Sequence, residues 1–326
     1  MSERRSRMRS GMIVAQEDAV HPPDERPPVS PFDRIVIVFN PQSTGDAPTL
    51  ARELRDDVAE QHPDLPVELA PTQRAGHGRE LAAAAARDGR PLVVSVSGDG
   101  GYNDVVNGMM DAANPDAVAA VRGAGNANDH RRATRRRPLD AAIGHALRTG
   151  ETARFDLLRL TVTPPGGRPE VRYAHSYIGL GITPVVAVDI EEGGKGSWRE
   201  IVAVVRGFRR FRPFPVDLAD GSRLEVDSLL YANIDRMAKV ATLSDDGRPD
   251  DGEFELVLLP HHSKLRVLVT ALRSATIGLG PQPHETHHEL TIRSPMPLQL
   301  DGELVELAAD THVAVDIAAG ALRTIG

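Results

Sequence analysis

The chain has 326 residues, a formal net charge of -8 at pH 7 and no cysteine. The absence of cysteine excludes disulfide frameworks, cysteine-based zinc sites and thiol nucleophiles, and the acidic balance argues against a dedicated nucleic-acid binder. This length is sufficient for two domains with separate hydrophobic cores.

Residues 1–31 are predicted to form a disordered tail, because the segment is basic at its start and then rich in proline. It lacks the apolar stretch of a secretory signal, and no run in the sequence approaches the roughly 18 apolar residues of a membrane span. We therefore expect a cytoplasmic protein. Peripheral association with the inner face of the membrane stays open.

Residues 32–150 alternate between strand-like and helix-like segments. The strand-like runs are RIVIVF (34–39), PVELA (66–70), PLVVSV (91–96) and AVAAV (117–121). A helix-like stretch follows each of them, and the third begins at residue 103. This alternation predicts a Rossmann-like α/β domain, with a parallel sheet covered by helices on both faces.

Residues 151–326 have a different pattern, in which apolar and polar residues alternate between turns rich in Gly, Pro and Asp. The pattern predicts a second domain that is a mostly antiparallel β-sandwich. One helix-like segment interrupts it at 196–211 and mixes arginines with aromatic residues. Such a segment is typical of a helix at an anionic membrane surface and equally of a packing helix with a solvated arginine face.

Three strand-like runs of the first domain end in loops rich in glycine and short polar residues: NPQSTG after residue 39, SGDGGYND from 97 and GAGNANDH from 123. Ligands of open α/β sheets bind at the carboxyl ends of strands, and glycine lets backbone N–H groups approach an anion. The loops therefore indicate a phosphate site built from amides and short polar side chains. Ordinary turns are the alternative interpretation of each loop alone. A lysine-anchored P-loop is excluded in this half, because the first lysine is Lys195.

The segments NPQSTG, SGDGGYNDVVNG and GNANDHRR resemble, in order and spacing, the nucleotide-binding motifs of the diacylglycerol kinase catalytic family. The usual patterns of that family are N-P-x-S-G, G-G-D-G-T-x-N-E-V-x-N-G and P-x-G-T-x-N-D-F-A-R. Further matches at GEFELVLLP and LQLDGELVEL extend the resemblance over about residues 34–326. It implies an NAD-kinase-like sheet domain followed by a β-sandwich. It also implies an ATP- and Mg²⁺-dependent lipid kinase that converts diacylglycerol to phosphatidic acid.

The resemblance also implies roles for individual residues. The ATP site would be lined by Asn40, Ser43, Thr44, Thr72, Gly98, Asp99, Gly100, Gly101, Asn103 and Asn126. Glu303 would accept the proton of the lipid hydroxyl, Asp99 and Asp301 would complete the catalytic set, and the region of Asp251 would hold a structural magnesium. Taken alone, the LDGEL segment that contains Glu303 is an ordinary two-residue hairpin turn.

Asp99 lies among three glycines, at a place where phosphates would repel it. We expect it either to anchor a network of Mg²⁺ and water or to orient the acceptor hydroxyl, because a lone carboxylate there needs such a partner. Capping of the following helix is the structural alternative.

Several positions depart from the family pattern: Gly101 and Asn126 replace threonine, Asp104 replaces glutamate, Gly123 replaces proline and His130 replaces phenylalanine. The changes at residues 101, 123 and 126 leave a non-catalytic nucleotide-binding protein open as an alternative. A kinase of a soluble acceptor is the other alternative, because kinases that resemble this arrangement of sheet and sandwich include those acting on NAD. As partners we expect a lipid substrate at an anionic membrane surface and no nucleic acid, and a homodimer is compatible with the sequence.

Overall fold

The computed structural model describes residues 30–43, 45–124, 130, 134, 138–181, 212–234, 236–237, 241–242, 247–261 and 281–325. Four features of the sequence interpretation fall outside these ranges: most of the predicted tail, Thr44, Asn126 and the helix-like segment 196–211.

The first region has the predicted alternation of strands and helices. Its elements are β1 (Arg34–Phe39), α1 (Ala47–Gln61), β2 (Val67–Pro71), α2 (His77–Ala86), β3 (Pro91–Ser97), α3 (Asp99–Ala112), β4 (Val118–Gly123) and α4 (Leu139–Thr149). The four strands are parallel and lie in the spatial order β4-β3-β1-β2. β1 and β3 are apolar along most of their length because both faces of the sheet are covered. None of the described helices is long and apolar enough to cross a bilayer.

The second region consists of strands. They are β5 (Ala153–Thr163), β6 (Glu170–Ala174), β7 (Tyr177–Gly181), β8 (Phe214–Leu218), β9 (Arg223–Ala232), β10 (Arg236–Met237), β11 (Ala241–Thr242), β12 (Phe254–Pro260), β13 (His284–Glu285), β14 (His287–Ile292), β15 (Met296–Leu300), β16 (Glu303–Leu307) and β17 (Thr311–Thr324). Their mutual pairings are antiparallel. The predicted fold class, a parallel α/β region followed by a mostly antiparallel region, is therefore confirmed.

The last strand joins the two regions. β17 pairs with β5 and β14, and near its end Thr324 is in parallel register with Ala119 of β4. Leu322 and Ile325 are buried in the cores that surround the parallel sheet. One continuous sheet therefore runs through both regions. The proposed domain boundary between residues 150 and 151 stays a prediction.

The start of α3 differs from the expectation. The helix begins at Asp99, four residues before the predicted helix-like stretch, and Gly98 precedes it in an extended conformation. The Tyr102 N–H donates to the Gly98 carbonyl oxygen over 3.1 Å. Gly100 and Gly101 consequently lie in the first helical turn, where the first N–H groups of a helix have no partner within it.

Candidate active site

A pocket of about 400 Å³ opens at the carboxyl ends of β1, β2 and β3. Its lining consists of Val38, Phe39, Asn40, Gln42, Thr72, Gln73, Arg74, Ala75, Gly78, Ser95, Ser97, Gly101 and Asp104. The pocket lies at the edge of the sheet that the loop pattern indicated, which is where open α/β sheets bind their ligands.

The turns at these strand ends approach one another closely. The Ala124 N–H, after β4, donates to the Ser97 carbonyl oxygen at the end of β3 over 2.8 Å. The turn after β1 passes against the turn after β4, because a Cβ on Gly45 would collide with the Ala124 carbonyl oxygen. The Thr72 N–H donates to the Phe39 carbonyl oxygen over 2.8 Å. The described parts of the turns thus form one rim.

The structure brings most of the predicted ATP-site residues to this rim. Asn40, Thr72 and Gly101 line the pocket, whereas Gly98, Asp99 and Gly100 lie at the start of α3. The Ser43 hydroxyl donates to the Gly45 carbonyl oxygen over 3.3 Å and so holds the turn after β1. ATP contacts of these residues stay predictions.

Asn103 occupies a different environment from the other predicted ATP-site residues. It is buried, and its Nδ2 donates over 2.8 Å both to the Tyr173 carbonyl oxygen and to the Asp301 carboxylate. Asn107, one turn later, exchanges hydrogen bonds of 2.9 Å with the Tyr173 main chain. These two asparagines attach α3 to β6 and to the turn before β16.

Asp301 fixes the turn that carries Glu303. Asp301 and Gly302 have φ values of 47° and 95°, as expected for the two-residue hairpin turn. The Asp301 carboxylate has no exposed surface and accepts the N–H groups of residues 175–177 over 2.7 to 3.0 Å. Burial raises its pKa to about 6, although these donors and Asn103 act in the opposite direction. In this arrangement Asp301 positions Glu303 by fixing the backbone of the turn between them. A direct role of Asp301 in catalysis stays a prediction.

Glu303 faces the rim. A Cβ on Gly100, in the first turn of α3, would lie 3.6 Å from Glu303 Cγ and 3.9 Å from its Oε1. The Glu303 side chain is 37% exposed, and Arg172 Nη1 lies 3.9 Å from Oε2. Burial and then the nearby negative charge of Asp104 raise the pKa of Glu303 to about 6, and Arg172 opposes them. Near pH 7 the group is therefore largely ionised and more basic than an ordinary glutamate, which suits a general base.

Asp104 points into the pocket from α3. A Cβ on Gly78 would lie 2.9 Å from Asp104 Oδ2, so glycine at the start of α2 leaves room for this carboxylate. Burial raises the pKa of Asp104, while Arg79 and Arg172 lower it. Among the described residues the carboxylate makes no hydrogen bond, whereas Arg79 is held by Asp111 through bonds of 2.6 and 2.8 Å.

Sequence reasoning missed His175, which supports the start of α3. Its Nε2 lies 3.2 Å from the Asp99 carbonyl oxygen and 3.3 Å from Asp301 Oδ2. Burial lowers its pKa to about 3, so the ring is neutral and can donate one hydrogen bond from Nε2. The polar pair His175 and Ser176 inside the otherwise apolar segment YAHSYIGL was the available signal. Asp99 itself is half-buried, and its role stays a prediction.

Asp251 lies apart from the pocket, in the exposed loop before β12. Its Oδ1 accepts the Glu253 N–H over 3.1 Å. In the part of the chain that the structure describes, no group of three or more His, Cys, Asp or Glu side chains is arranged to hold a metal ion. A structural magnesium at Asp251 stays a prediction.

Comparisons with known proteins agree with this architecture. A family model, the diacylglycerol kinase catalytic domain, matches residues 34–160. A solved structure titled "A putative diacylglycerol kinase from Bacillus anthracis str. Sterne" has a TM-score of 0.68 and 16% identity, over 91% of this chain and 98% of that one. A second, titled as a diacylglycerol kinase from the same organism, has a TM-score of 0.66 and 16% identity, over 90% and 97%.

A search of curated protein sequences found no match. At 16% identity the solved structures establish the shared fold alone. The resemblance in the motifs is thereby confirmed for residues 34–160, which match the model of the diacylglycerol kinase catalytic domain, and this match supports a lipid-kinase-type function.

Proposed function

We propose that this protein transfers the γ-phosphoryl group of ATP to the hydroxyl of diacylglycerol, with Glu303 as the proton acceptor. The observation that carries the proposal is the position of Glu303. It comes from a β-hairpin late in the chain and lies beside Gly100, at the rim formed by the nucleotide motifs.

The triphosphate would bind in the pocket through uncharged donors. The first N–H groups of α3 have no partner within the helix, and the helix dipole adds positive potential at the same end. Asn40 and Thr72 add short polar side chains from the turns after β1 and β2. This arrangement explains how the region can bind an anion without a lysine.

The residues around the pocket fit a magnesium ion that arrives with the nucleotide. Mg²⁺ prefers oxygen ligands and usually binds through one or two carboxylates together with substrate phosphates. The half-buried Asp104 carboxylate points into the pocket, and Asp99 lies at the start of the same helix. These two residues would hold the ion, which neutralises phosphate charge when bound.

The chemical step follows from the geometry at Glu303. The acceptor hydroxyl oxygen attacks the γ-phosphorus, and the bond from that phosphorus to the bridging oxygen breaks as ADP leaves. The hydroxyl proton passes to the Glu303 carboxylate. A pKa of about 6 keeps this base ionised near neutral pH and leaves it stronger than a free glutamate. Asp301 holds the turn before Glu303 and thus the direction of its side chain.

Conservative replacement of the proposed base tests the function. The full-length protein is incubated with labelled ATP, Mg²⁺ and anionic vesicles that contain diacylglycerol. We expect Glu303→Gln to lower kcat by about 10²- to 10⁴-fold while calorimetry shows unchanged binding of Mg·ATP. Glu306→Gln is the matched control, because this exposed glutamate of β16 lies on the opposite face of the strand. It should retain kcat within about twofold of the unmodified protein.

Three outcomes would contradict the proposal. Undiminished turnover in Glu303→Gln would remove the base from the mechanism. Binding of Mg·ATP without transfer to any lipid would favour a non-catalytic protein. Transfer to a soluble alcohol, without transfer to vesicle lipid, would favour the soluble-acceptor alternative.

A further inference from the structure

The second nucleotide motif carries two changes that are four residues apart. The usual pattern begins G-G-D-G-T, whereas this chain has S-G-D-G-G at residues 97–101. Serine thus stands at the first position, where glycine is usual, and glycine stands at the fifth, where threonine is usual. The segment retains one hydroxyl, moved from the helix to the end of the preceding strand.

The structure shows that the two positions compete for one space. A Cβ on Gly101 would lie 2.6 Å from Ser97 Cβ and 2.8 Å from Ser97 Oγ, closer than real Cβ contacts. Gly101 lies in the first turn of α3 and does not have a positive φ, so its backbone conformation does not require glycine. The Ser97 side chain is what excludes a side chain at residue 101.

The hydroxyl of Ser97 is placed to serve a ligand. Ser97 and Gly101 both line the pocket, and Ser97 is half-buried at the end of β3. Its Oγ lies 2.6 Å from the Oγ of the buried Ser95 and donates to the Gly98 carbonyl oxygen over 2.9 Å. With Ser95 as donor to Ser97, the hydrogen of Ser97 can rotate from the carbonyl to an anion in the pocket.

We propose that Ser97 supplies a hydroxyl donor to the triphosphate from beside position 101, where the usual motif has threonine, so that the two changes compensate each other. The inference rests on the proposed function, because it assumes that the pocket binds a nucleotide. A hydroxyl that donates to a phosphate oxygen forms a charge-assisted hydrogen bond, which is stronger than one between neutral groups. Ser97 is therefore a determinant of nucleotide affinity in this chain.

Exchange of the two residues tests the proposal. Calorimetry with Mg·ATP on the full-length protein gives Kd, and thermal unfolding without nucleotide gives stability. We expect Ser97→Ala and Ser97→Gly each to raise Kd about tenfold. Gly101→Thr should raise Kd at least as much and lower the unfolding temperature, because its side chain collides with Ser97. The double variant Ser97→Gly/Gly101→Thr should return Kd to within about threefold of the unmodified protein.

Two further variants distinguish the steric effect at residue 101 from the loss of the Ser97 hydrogen bond. Gly101→Ala should lower the unfolding temperature in the unmodified background and leave it unchanged in the Ser97→Gly background. Ser97→Ala keeps the Cβ and removes only the hydroxyl, so it should raise Kd and lower the unfolding temperature only through the lost hydrogen bond with the buried Ser95.

The inference is refuted if Ser97→Ala binds Mg·ATP as the unmodified protein does, or if the double variant shows the product of the two single effects. Either result leaves the proposed kinase intact. If the unmodified protein binds no Mg·ATP, the proposed function fails and this inference fails with it.

Discussion

At the scale of single residues, the reactivity of the site depends on four charged groups around Glu303. Burial is the largest cause that raises the pKa of its carboxylate, Asp104 and Asp301 raise it further, and Arg172 and Arg79 lower it. Arg79 is already held by hydrogen bonds to Asp111. Arg172 lies near the Glu303 carboxylate, and its positive charge favours the ionised form of that group. The sequence contained this arginine but offered no sign that it would face Glu303.

The pH dependence of turnover tests the electrostatics of the base. A base must be ionised, so kcat/KM should rise with pH through the pKa of Glu303, about 6, and then level off. In Arg172→Ala the loss of a positive charge disfavours the carboxylate, and the midpoint should move upward by about half a pH unit or more. Arg168→Ala, in the exposed hairpin between β5 and β6, is the control. An unchanged or lowered midpoint in Arg172→Ala would contradict this account.

At the scale of elements, the close crossing of α2 and α3 shapes the pocket. A Cβ on Gly108 of α3 would collide with the Arg79 carbonyl oxygen and would lie 2.7 Å from Ala82 Cβ of α2. The same crossing places Asp104 against Gly78 at the start of α2. Periodicity predicted both helices, but it does not reveal how closely two helices approach each other.

Two helical glycines should respond to alanine with opposite signs. Gly108→Ala should lower the free energy of unfolding by about 1–3 kcal/mol, because the main chain of α2 has to move away. Gly144→Ala in α4 meets only the end of the flexible Arg148 side chain, at 3.3 Å, and should be neutral or raise stability by up to about 1 kcal/mol. Urea unfolding measures both changes. Equal effects of the two variants would show that helix propensity, and not the crossing, decides at Gly108.

At the scale of the whole molecule, β17 makes the parallel region depend on the C-terminal end of the chain. Leu322 is 1% exposed and lies in the same core as Phe155 and Leu157 of β5 and Val93 of β3. The parallel sheet, which carries the three glycine-rich loops, is therefore completed by residues far along the chain. This contact joins residues on the two sides of residue 150, so a division of the sequence there separates the partners.

Truncation of Leu322 should loosen the parallel sheet. Leu322→Ala removes a fully buried side chain and should lower the free energy of unfolding by about 2–5 kcal/mol. Hydrogen exchange should then increase in β3 and β4 as well as in β17. Ala319→Ser, at an exposed position of the same strand, is the control and should leave exchange in β3 and β4 unchanged. Faster exchange confined to β17 would show that the two regions are independent.

The sequence by itself determined the local structure and the motifs. β1 occupies the predicted 34–39, and the remaining predicted strands of the parallel sheet differ from the observed ones by at most two residues at an end. Strands rich in β-branched residues, glycine turns and motif order are properties of short stretches of the chain. Patterns in the sequence therefore reveal them. The start of α3 was predicted four residues late, because Gly and Asp favour turns unless the surrounding structure overrides that preference.

Only the tertiary structure decided which distant residues meet. Glu303 lies beside Gly100 because the buried Asp301 carboxylate fixes the hairpin turn against residues 175–177 and Asn103. Ser97 excludes a side chain at Gly101, and β17 pairs with β4. The periodicity of hydrophobic residues along the sequence reveals neither of these contacts. Hydrophobic patterns show which residues are buried, whereas the choice of partner depends on strand pairing and on the burial of polar groups that must find hydrogen bonds.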